Sequence, residues 1–476
     1  MIKPGKLRAA YVLYDFIAAN IAWCLFSTAR YYMTLDLVTM HGFSSLWSFL
    51  SAPSLVAGQI IIPFFIIFIS YLSGYYNGSV LKSRLQEFLT TSVSSFVASL
   101  VVFFTILIND AYQERLKNYE LILIMWGILF VLQYFFRLTI TNIVAGKVKT
   151  GELEINALLI GYGKYAIEFA RKLIKAKGTM GYKIKGFVRL EGDADVCPNE
   201  WHIPVYEIDE LDELCQHEQI QTLIITTPSK NRNNTLNLIN RLFKYNLPIK
   251  IRPELYDILL SRIRHANIIG EPLIDIAQSN MTECQKSIKR TLDIVASVFA
   301  LVLLSPLFAI VALLIKKDSK GPIFYKQERI GKSGKPFNIY KFRTMVCNAE
   351  STTPQLSSEN DRRITNVGKT LRKYRIDEIP QFWNVLKGEM SIVGPRPERK
   401  YFADQIIEKA PYYALVYQVR PGITSWGMVK FGYATNVEEM IARAKYDLIY
   451  IENMSLLIDL KIITYTVKTV VTGKGL

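Results

Sequence analysis

The chain has 476 residues, 50% of them hydrophobic, and carries 57 Lys and Arg against 41 Asp and Glu, a formal net charge of +16. That length leaves room for two or three domains, and apolar and basic character together point to a membrane protein whose charge meets acidic surfaces or polyanionic substrates. Nucleic acid is not the expected partner: there is no zinc-finger spacing or RNA-binding signature, and the basic residues form no single stripe.

Four apolar runs open the chain, near Ala10–Tyr32, Ser54–Tyr76, Leu89–Ile108 and Leu121–Ile140. Each has about the twenty residues a helix needs to cross a bilayer. The first is too long for a cleavable signal peptide and is followed by no small-residue cleavage site. Lys3, Lys6 and Arg8 precede the first run, Lys82 and Arg84 follow the second, and Lys147 and Lys149 follow the fourth. The loop around His41 has no Lys or Arg, and the other outer loop offsets Arg115 and Lys117 with Asp110 and Glu114. The positive-inside rule therefore puts both ends of residues 1–150 in the cytoplasm. Asp15 and Arg30 lie in or beside the first run. They read either as an intramembrane functional site or as ions paired in the bundle or snorkelling to an interface.

Residues 151–275 alternate short β-rich runs with helical patterns, the rhythm of a parallel sheet with helices on its faces. The turn "GYGKYA", with Gly161, Gly163 and Ala166, sits where a dinucleotide fingerprint would, between the first strand and its helix. No acid ends the second strand cleanly, because Arg189 and Leu190 precede Glu191. The domain reads as Rossmann-like, serving either a nucleotide or a structural or regulatory role.

The third segment, residues 280–476, begins with another apolar run over about 288–317, flanked by Lys289 and Arg290 on one side and Lys316 and Lys317 on the other. Length alone suggests a fifth span. Basic residues at both ends ask for both ends inside, and Ser305-Pro306 at mid-run deletes a helical hydrogen bond. A helix that enters the cytoplasmic leaflet, bends at Ser305-Pro306 and returns satisfies both, with the Ser305 hydroxyl available to the freed backbone. The final stretch "SLLIDLKIITYTVKTVV" reads equally as an interfacial helix or a buried amphipathic one.

The five cysteines are scattered without a C-x-x-C pair, which argues against a usual structural zinc site. The last of the four histidines is His265, so chemistry in the C-terminal part runs without imidazole. That part is dense in cations: Lys341 and Arg343 in "YKFRTM", Arg372 and Arg375 in "LRKYR", Arg396 in "VGPRPERK" and Arg420 in "VRPGIT". Arginine forks recognise phosphates bidentately, and the neighbouring Pro and Gly residues hold such loops rigid. Among these cations stand two adjacent acids, Asp377 and Glu378. Asp377 precedes the helical pattern "EIPQFWNVL" and can be its N-cap. Ionised, it can equally be a nucleophile toward phosphorus or a ligand for Mg²⁺.

The motifs "KRTLDIV", the mid-run "SP", "GPIFYKQERIG", "YKFRTM", "LRKYRIDEIPQFWNVLKGEMSIVGPRP", "VRPGIT" and "LLIDLKI" resemble, in order, the bacterial sugar transferases, also called monotopic phosphoglycosyl transferases. The whole layout is similar to the longer members that prime polysaccharide synthesis. Ser425-Trp426 departs from the family's usual Gly-Trp after "PGIT". The resemblance implies an N-terminal four-helix transmembrane bundle, a central Rossmann-like α/β domain, and a C-terminal α/β catalytic domain with a re-entrant membrane helix and interfacial helices. It implies a cytoplasmic-membrane enzyme with its catalytic domain on the cytoplasmic face, membrane lipid around it, and homo-oligomerisation left open. Its partners are a UDP-sugar donor and undecaprenyl phosphate, its cofactor Mg²⁺, and its pathway exopolysaccharide, capsule or O-antigen synthesis. Asp377 is then the nucleophile that forms a phosphoglycosyl-aspartate, and Glu378 the metal ligand. Lys341 and Arg372 fall at family basic positions, and Arg396 and Arg420 are candidate phosphate contacts. The rival reading is an NAD-dependent membrane enzyme that modifies nucleotide sugars through Gly161 and Gly163.

Overall fold

The structure is a computed structural model that describes residues 4–33, 35, 43–77, 82–107, 115–175, 181–190, 193, 202–217, 220–226, 238–239, 241–242, 245, 247–251, 274–275, 281–346 and 361–472. The expectations for Lys3, the His41 loop, Asp110, Glu114 and Glu191, and for most of the segment from 227 to 280, lie outside these residues.

Four helices form the N-terminal bundle: α1 (Pro4–Met33), α2 (Pro53–Leu72), α3 (Arg84–Val102, continued by a π-helical turn) and α4 (Arg115–Lys149). All four are long and apolar enough to cross a membrane. Trp23, Phe26, Ile62, Ile66 and Leu129 fill the space between them, while Ile60, Ile61, Val131 and Phe135 face outward, as bilayer solvation requires. Asp15 does not pair with Arg30. Its partner is Arg137 of α4, a cation inside the run read as simply apolar, which donates from Nε to Oδ1 at 2.9 Å and from Nη2 to Oδ2 at 2.7 Å. Arg137 also donates to Ser70 of α2 at 2.9 Å and Thr91 of α3 at 3.0 Å. The pair is fully buried, so each of the four helices supplies one polar group to a single hub. Such a hub fixes helix register, because a slipped helix would strand a charge in hydrocarbon.

The central segment builds a sheet of order β3-β2-β1-β4-β5-β6 from β1 (Ile155–Ile160), β2 (Tyr182–Arg189), β3 (Val205–Glu207), β4 (Thr222–Ile225), β5 (Ile249–Ile251) and β6 (Ile274–Asp275). All neighbours are parallel except β5 and β6. Helix α5 (Lys164–Lys175) follows β1 and buries Phe169, Ala170 and Leu173; α6 (Leu211–His217) follows β3.

The C-terminal part starts with α7 (Glu283–Leu303) and α8 (Ser305–Asp318), bent by 59° at the Ser305-Pro306 break. Ser305 Oγ donates to the Val302 carbonyl at 2.8 Å, satisfying backbone that the missing proline N–H frees. Beyond it lie the antiparallel hairpin β7 (Phe324–Ile330) and β8 (Pro336–Phe342), then α9 (Asn366–Lys373), α10 (Phe382–Lys387), β9 (Ser391–Val393), α11 (Lys400–Lys409), β10 (Gly422–Thr424), α12 (Trp426–Lys430), α13 (Val437–Glu452) and α14 (Leu456–Val471). Strands β9 and β10 pair in parallel. Helix α14 combines the two expectations for it: Leu457, Leu460 and Val467 are exposed, while Asp459 is buried and bound by Lys289 at 2.7 Å. Bundle and C-terminal domain touch where Asn77 Nδ2 donates to Ser287 Oγ of α7 at 2.8 Å. A Cβ on Gly74 (φ +80) would stand 2.5 Å from the Cys284 nitrogen, so this approach needs glycine.

Candidate active site

Three neighbouring pieces converge on the Asp377–Glu378 pair. Strand β8 presents Lys341. Helix α9 ends in Arg372 and Lys373, and Arg375 then turns the chain with φ 54, an αL conformation uncommon outside glycine. The segment Ile376–Gln381 that follows is a 3₁₀ helix with Asp377 and Glu378 in its first turn. The N-cap expectation for Asp377 is thereby corrected: Arg375 occupies the cap position and Asp377 is the second residue of the helix, with no side-chain cap bond formed. The tight 3₁₀ pitch turns both adjacent carboxylates inward; they are 7% and 5% exposed.

The two acids have different surroundings. Glu378 Oε1 accepts from Lys341 Nζ at 2.7 Å, Oε2 faces Arg375 Nη1 at 3.4 Å, and Arg396 Nη1 stands 3.9 Å from Oε1. Burial opposes ionisation of Glu378, but Lys341, then Arg375 and Arg396, outweigh it and hold the carboxyl well below the usual range. Asp377 makes no hydrogen bond or ion pair with any described residue. Burial, together with the neighbouring Glu378 charge, raises its pKa against the pull of Lys341, Arg372 and Arg375. Glu378 is thus a fixed anion within a cationic cage, and Asp377 an uncommitted carboxylate at its edge.

The Gly394–Pro397 loop is held from both sides. Gly394 N–H donates to the Thr424 carbonyl at 3.1 Å and Gly422 N–H to the Pro395 carbonyl at 2.9 Å. The Arg396 N–H donates to Asp447 Oδ2 at 3.2 Å, and the Gly427 N–H to Oδ1 at 2.8 Å. Burial pushes Asp447 up to about 6 even though these N–H groups favour its anion. Next to it, Glu398 is bound by Arg443, and Arg329 donates to the Pro397 carbonyl at 3.1 Å. The Tyr433 ring lies 5.4 Å from the Arg375 guanidinium and 5.7 Å from that of Arg396, bridging two cations that would otherwise repel.

Of the candidates read from the sequence, Lys341, Asp377, Glu378 and Arg396 come together. Arg372 is adjacent: its Nε donates to Thr344 Oγ1 at 2.9 Å and its charge acts on Asp377. Arg343 donates to the Lys320 and Ser319 carbonyls at 2.9 and 2.7 Å, closing the end of α8. Arg420 Nε donates to the Gly388 carbonyl at 2.8 Å and, with Arg290 on the Val385 and Leu386 carbonyls, closes the end of α10, where carbonyls favour cations. Ser305 and Pro306 mark the helix break. Gly161 and Gly163 lie in the β1–α5 turn with φ 109 and 150, and none of their bonds reaches the acid pair. There the Tyr162 N–H donates to Asp193 Oδ2 at 2.7 Å, as does the Leu190 N–H at 2.9 Å. An acid, Asp193, thus stands beside the turn, just past the strand end that the sequence showed without a clean acid. Tyr433 and Asp447 were not among the sequence candidates, and Arg375 was named only as one cation of the "LRKYR" run. Nothing local marks a non-glycine αL residue, and the other two lie far along the chain. Ser425 explains its own departure: at φ −137 it needs no glycine, and its hydroxyl accepts from the Met428 N–H to cap α12.

Among the described residues no group of three or more His, Cys, Asp or Glu could hold a metal. Magnesium, however, is commonly bound by one or two carboxylates plus substrate phosphates. The adjacent pair fits that pattern, since Glu378 Oε2 has only its 3.4 Å contact and Asp377 has none.

The family described as bacterial sugar transferase matches residues 284–473. A UDP-N-acetylgalactosamine-undecaprenyl-phosphate N-acetylgalactosaminephosphotransferase of Aeromonas hydrophila is 47% identical over 188 residues, 40% of this chain and 44% of that protein. A UDP-glucose:undecaprenyl-phosphate glucose-1-phosphate transferase of Klebsiella pneumoniae is 31% identical over 321 residues, 65% of this chain and 68% of its own length. One of the same description from Caulobacter vibrioides is 42% identical over 186 residues, 39% of this chain and 70% of that one. The matched part thus spans less than half of the Aeromonas protein and about two thirds of the other two.

Proposed function

The chain belongs to the bacterial sugar transferase family, and from that premise we propose that it transfers a sugar 1-phosphate from a UDP-sugar to undecaprenyl phosphate. One observation carries the reading: Asp377 is a buried carboxylate with no protein partner among the described residues, beside a Glu378 held by three cations.

An Asp377 oxygen attacks the sugar-bearing phosphorus, the bond from that phosphorus to the bridging oxygen breaks, and UMP leaves with the electron pair. An oxygen of the lipid phosphate then attacks the same phosphorus, the aspartyl–phosphorus bond breaks, and Asp377 is restored as undecaprenyl-diphosphate-sugar departs. Burial makes Asp377 a poorly solvated and therefore reactive anion. Lys341, Arg375 and Arg396 set a positive field where phosphate charge accumulates, and Tyr433 keeps the two arginines in place. Glu378, with Asp377, would hold Mg²⁺, which neutralises phosphate charge when bound.

The bend at Ser305-Pro306 supports a re-entrant helix with the whole C-terminal domain on the cytoplasmic face of the inner membrane. The strand order of the central sheet supports a Rossmann-like domain. The reaction would open the synthesis of a surface polysaccharide. Cysteines placed at Lys286 and Lys317 test the topology: both should label from the cytoplasmic side, and labelling from opposite sides would replace the re-entrant helix with a fifth span.

The reaction is tested by UMP release from a panel of UDP-sugars that includes glucose and N-acetylgalactosamine, with Mg²⁺ and undecaprenyl phosphate. Wild type should turn over with at least one donor and, without lipid, gain the mass of a sugar phosphate. Asp377→Asn should do neither. Turnover by Asp377→Asn would remove the nucleophile assignment.

A further inference from the structure

At the end of the bundle that faces the C-terminal domain, α1 and α2 leave a groove of about 340 Å³. Its floor includes Phe64, Ile67 and Phe68, and Arg8, Tyr71 and Asn77 stand at its polar end. The Arg8 Nε donates to the Tyr76 carbonyl at 2.9 Å, and its two terminal nitrogens have no acceptor among the described residues. Phe64 and Phe68 are 61% and 42% exposed, so a bilayer chain can reach the floor from the side. An apolar slot with a guanidinium at its interfacial end has the form of an amphiphile with an anionic head.

We propose that this groove binds one anionic phospholipid, its phosphate on Arg8 with the Tyr71 hydroxyl beside it and one acyl chain along Phe64, Ile67 and Phe68. A free anion makes no use of the apolar floor. The acceptor lipid's phosphate is assigned to Asp377, and none of the groove's residues bonds to that cluster. The bilayer's own anionic lipid is therefore the occupant. Its position suggests a fastening role. Asn77 bonds to Ser287 of α7, and one turn further along that helix Arg290 lies within the field of the Tyr71 phenol. Arg290 in turn holds the Val385 and Leu386 carbonyls of α10, the helix that directly follows the acid pair. A lipid in the groove would brace the contact by which the bundle positions the catalytic domain.

The experiment is a lipid titration of the delipidated full chain by native mass spectrometry, using phosphatidylglycerol and phosphatidylethanolamine. Wild type should take up one phosphatidylglycerol in clear preference to phosphatidylethanolamine. Arg8→Gln should weaken that binding about fivefold or more, the contribution of one cation at a membrane surface. Arg8→Lys, which keeps the charge, should retain it within about twofold on the same basis. Ile67→Trp should exclude the lipid with the charge unchanged, and lipid-free melting temperatures near wild type show that each variant folds. Equal binding of the two lipids would overturn the proposal. So would equal losses in Arg8→Gln and Arg8→Lys, which would reduce Arg8 to its bond with Tyr76, or uptake of undecaprenyl phosphate with none of phosphatidylglycerol.

Discussion

The sharpest consequence of the acid pair is an acid limb in the pH–rate profile that Lys341 controls. Burial raises Asp377 to about 6. If it must be ionised to attack, kcat/KM should be nearly full at pH 7 and fall to about a tenth of that by pH 5. Of the groups that lower the Asp377 pKa, Lys341 acts most strongly. Unit charges about 4 Å apart interact by about 4 kcal/mol at an effective dielectric of about 20, so removing one that lies beyond ion-pair distance should move the limb by about one to two pH units. Lys341→Met should therefore shift the midpoint toward about pH 7–8. Unfolding does not imitate this limb. With a folded pKa above its unfolded value, Asp377 binds more protons in the native state, so its contribution to stability rises as pH falls from about 6 toward 4. Glu378, whose folded pKa is lowered, contributes stability that is lost only as pH falls below its unfolded value of 4.5. The assay is kcat/KM for UMP release between pH 4.5 and 9, with circular dichroism at each pH. A limb that stays fixed in Lys341→Met, in a variant that remains folded, would refute the assignment of the limb to Asp377.

Arg375→Gly keeps the αL backbone and removes one cation from the buried Glu378, so it should cost about 1–3 kcal/mol of stability while kcat/KM falls by about tenfold to a hundredfold, each the worth of one charged hydrogen bond; an unchanged kcat/KM in the folded variant would make Arg375 structural only. A Cβ on Gly422 would fall on the Gly394 backbone nitrogen, so Gly422→Ala should cost about 3 kcal/mol in denaturant unfolding and, by moving the Arg396 loop, raise KM for the donor. Arg137→Leu leaves Asp15 buried and unpaired and should destabilise the detergent-solubilised chain by about 3–5 kcal/mol, with Asp15→Asn in the same chain recovering part of that loss; an unchanged melting temperature would dismiss the hub.

What the sequence exposed and what it hid differ by a physical distinction. Run length and flanking charge are one-dimensional quantities, so the four spanning helices and the Ser305-Pro306 break could be read directly from residue order. The acid pair was equally visible, because its meaning rests on neighbours in the chain. Partnership is three-dimensional and was largely hidden. Arg137 disappears into the average of an apolar run, although a lone cation there had to find an anion, and Asp15 was the acid already noticed inside a span. Arg343 and Arg420 look like phosphate ligands because their composition reports charge, but the carbonyls at the ends of α8 and α10 use that charge first. Tyr433 and Asp447 stand 56 and 70 residues beyond Asp377 and become relevant only when α12 and α13 fold back over the Gly394–Pro397 loop. An arginine in such a chain is therefore best assigned to the substrate after the helix ends have been supplied, and by that order Lys341, Arg375 and Arg396 are the cations left facing the acid pair.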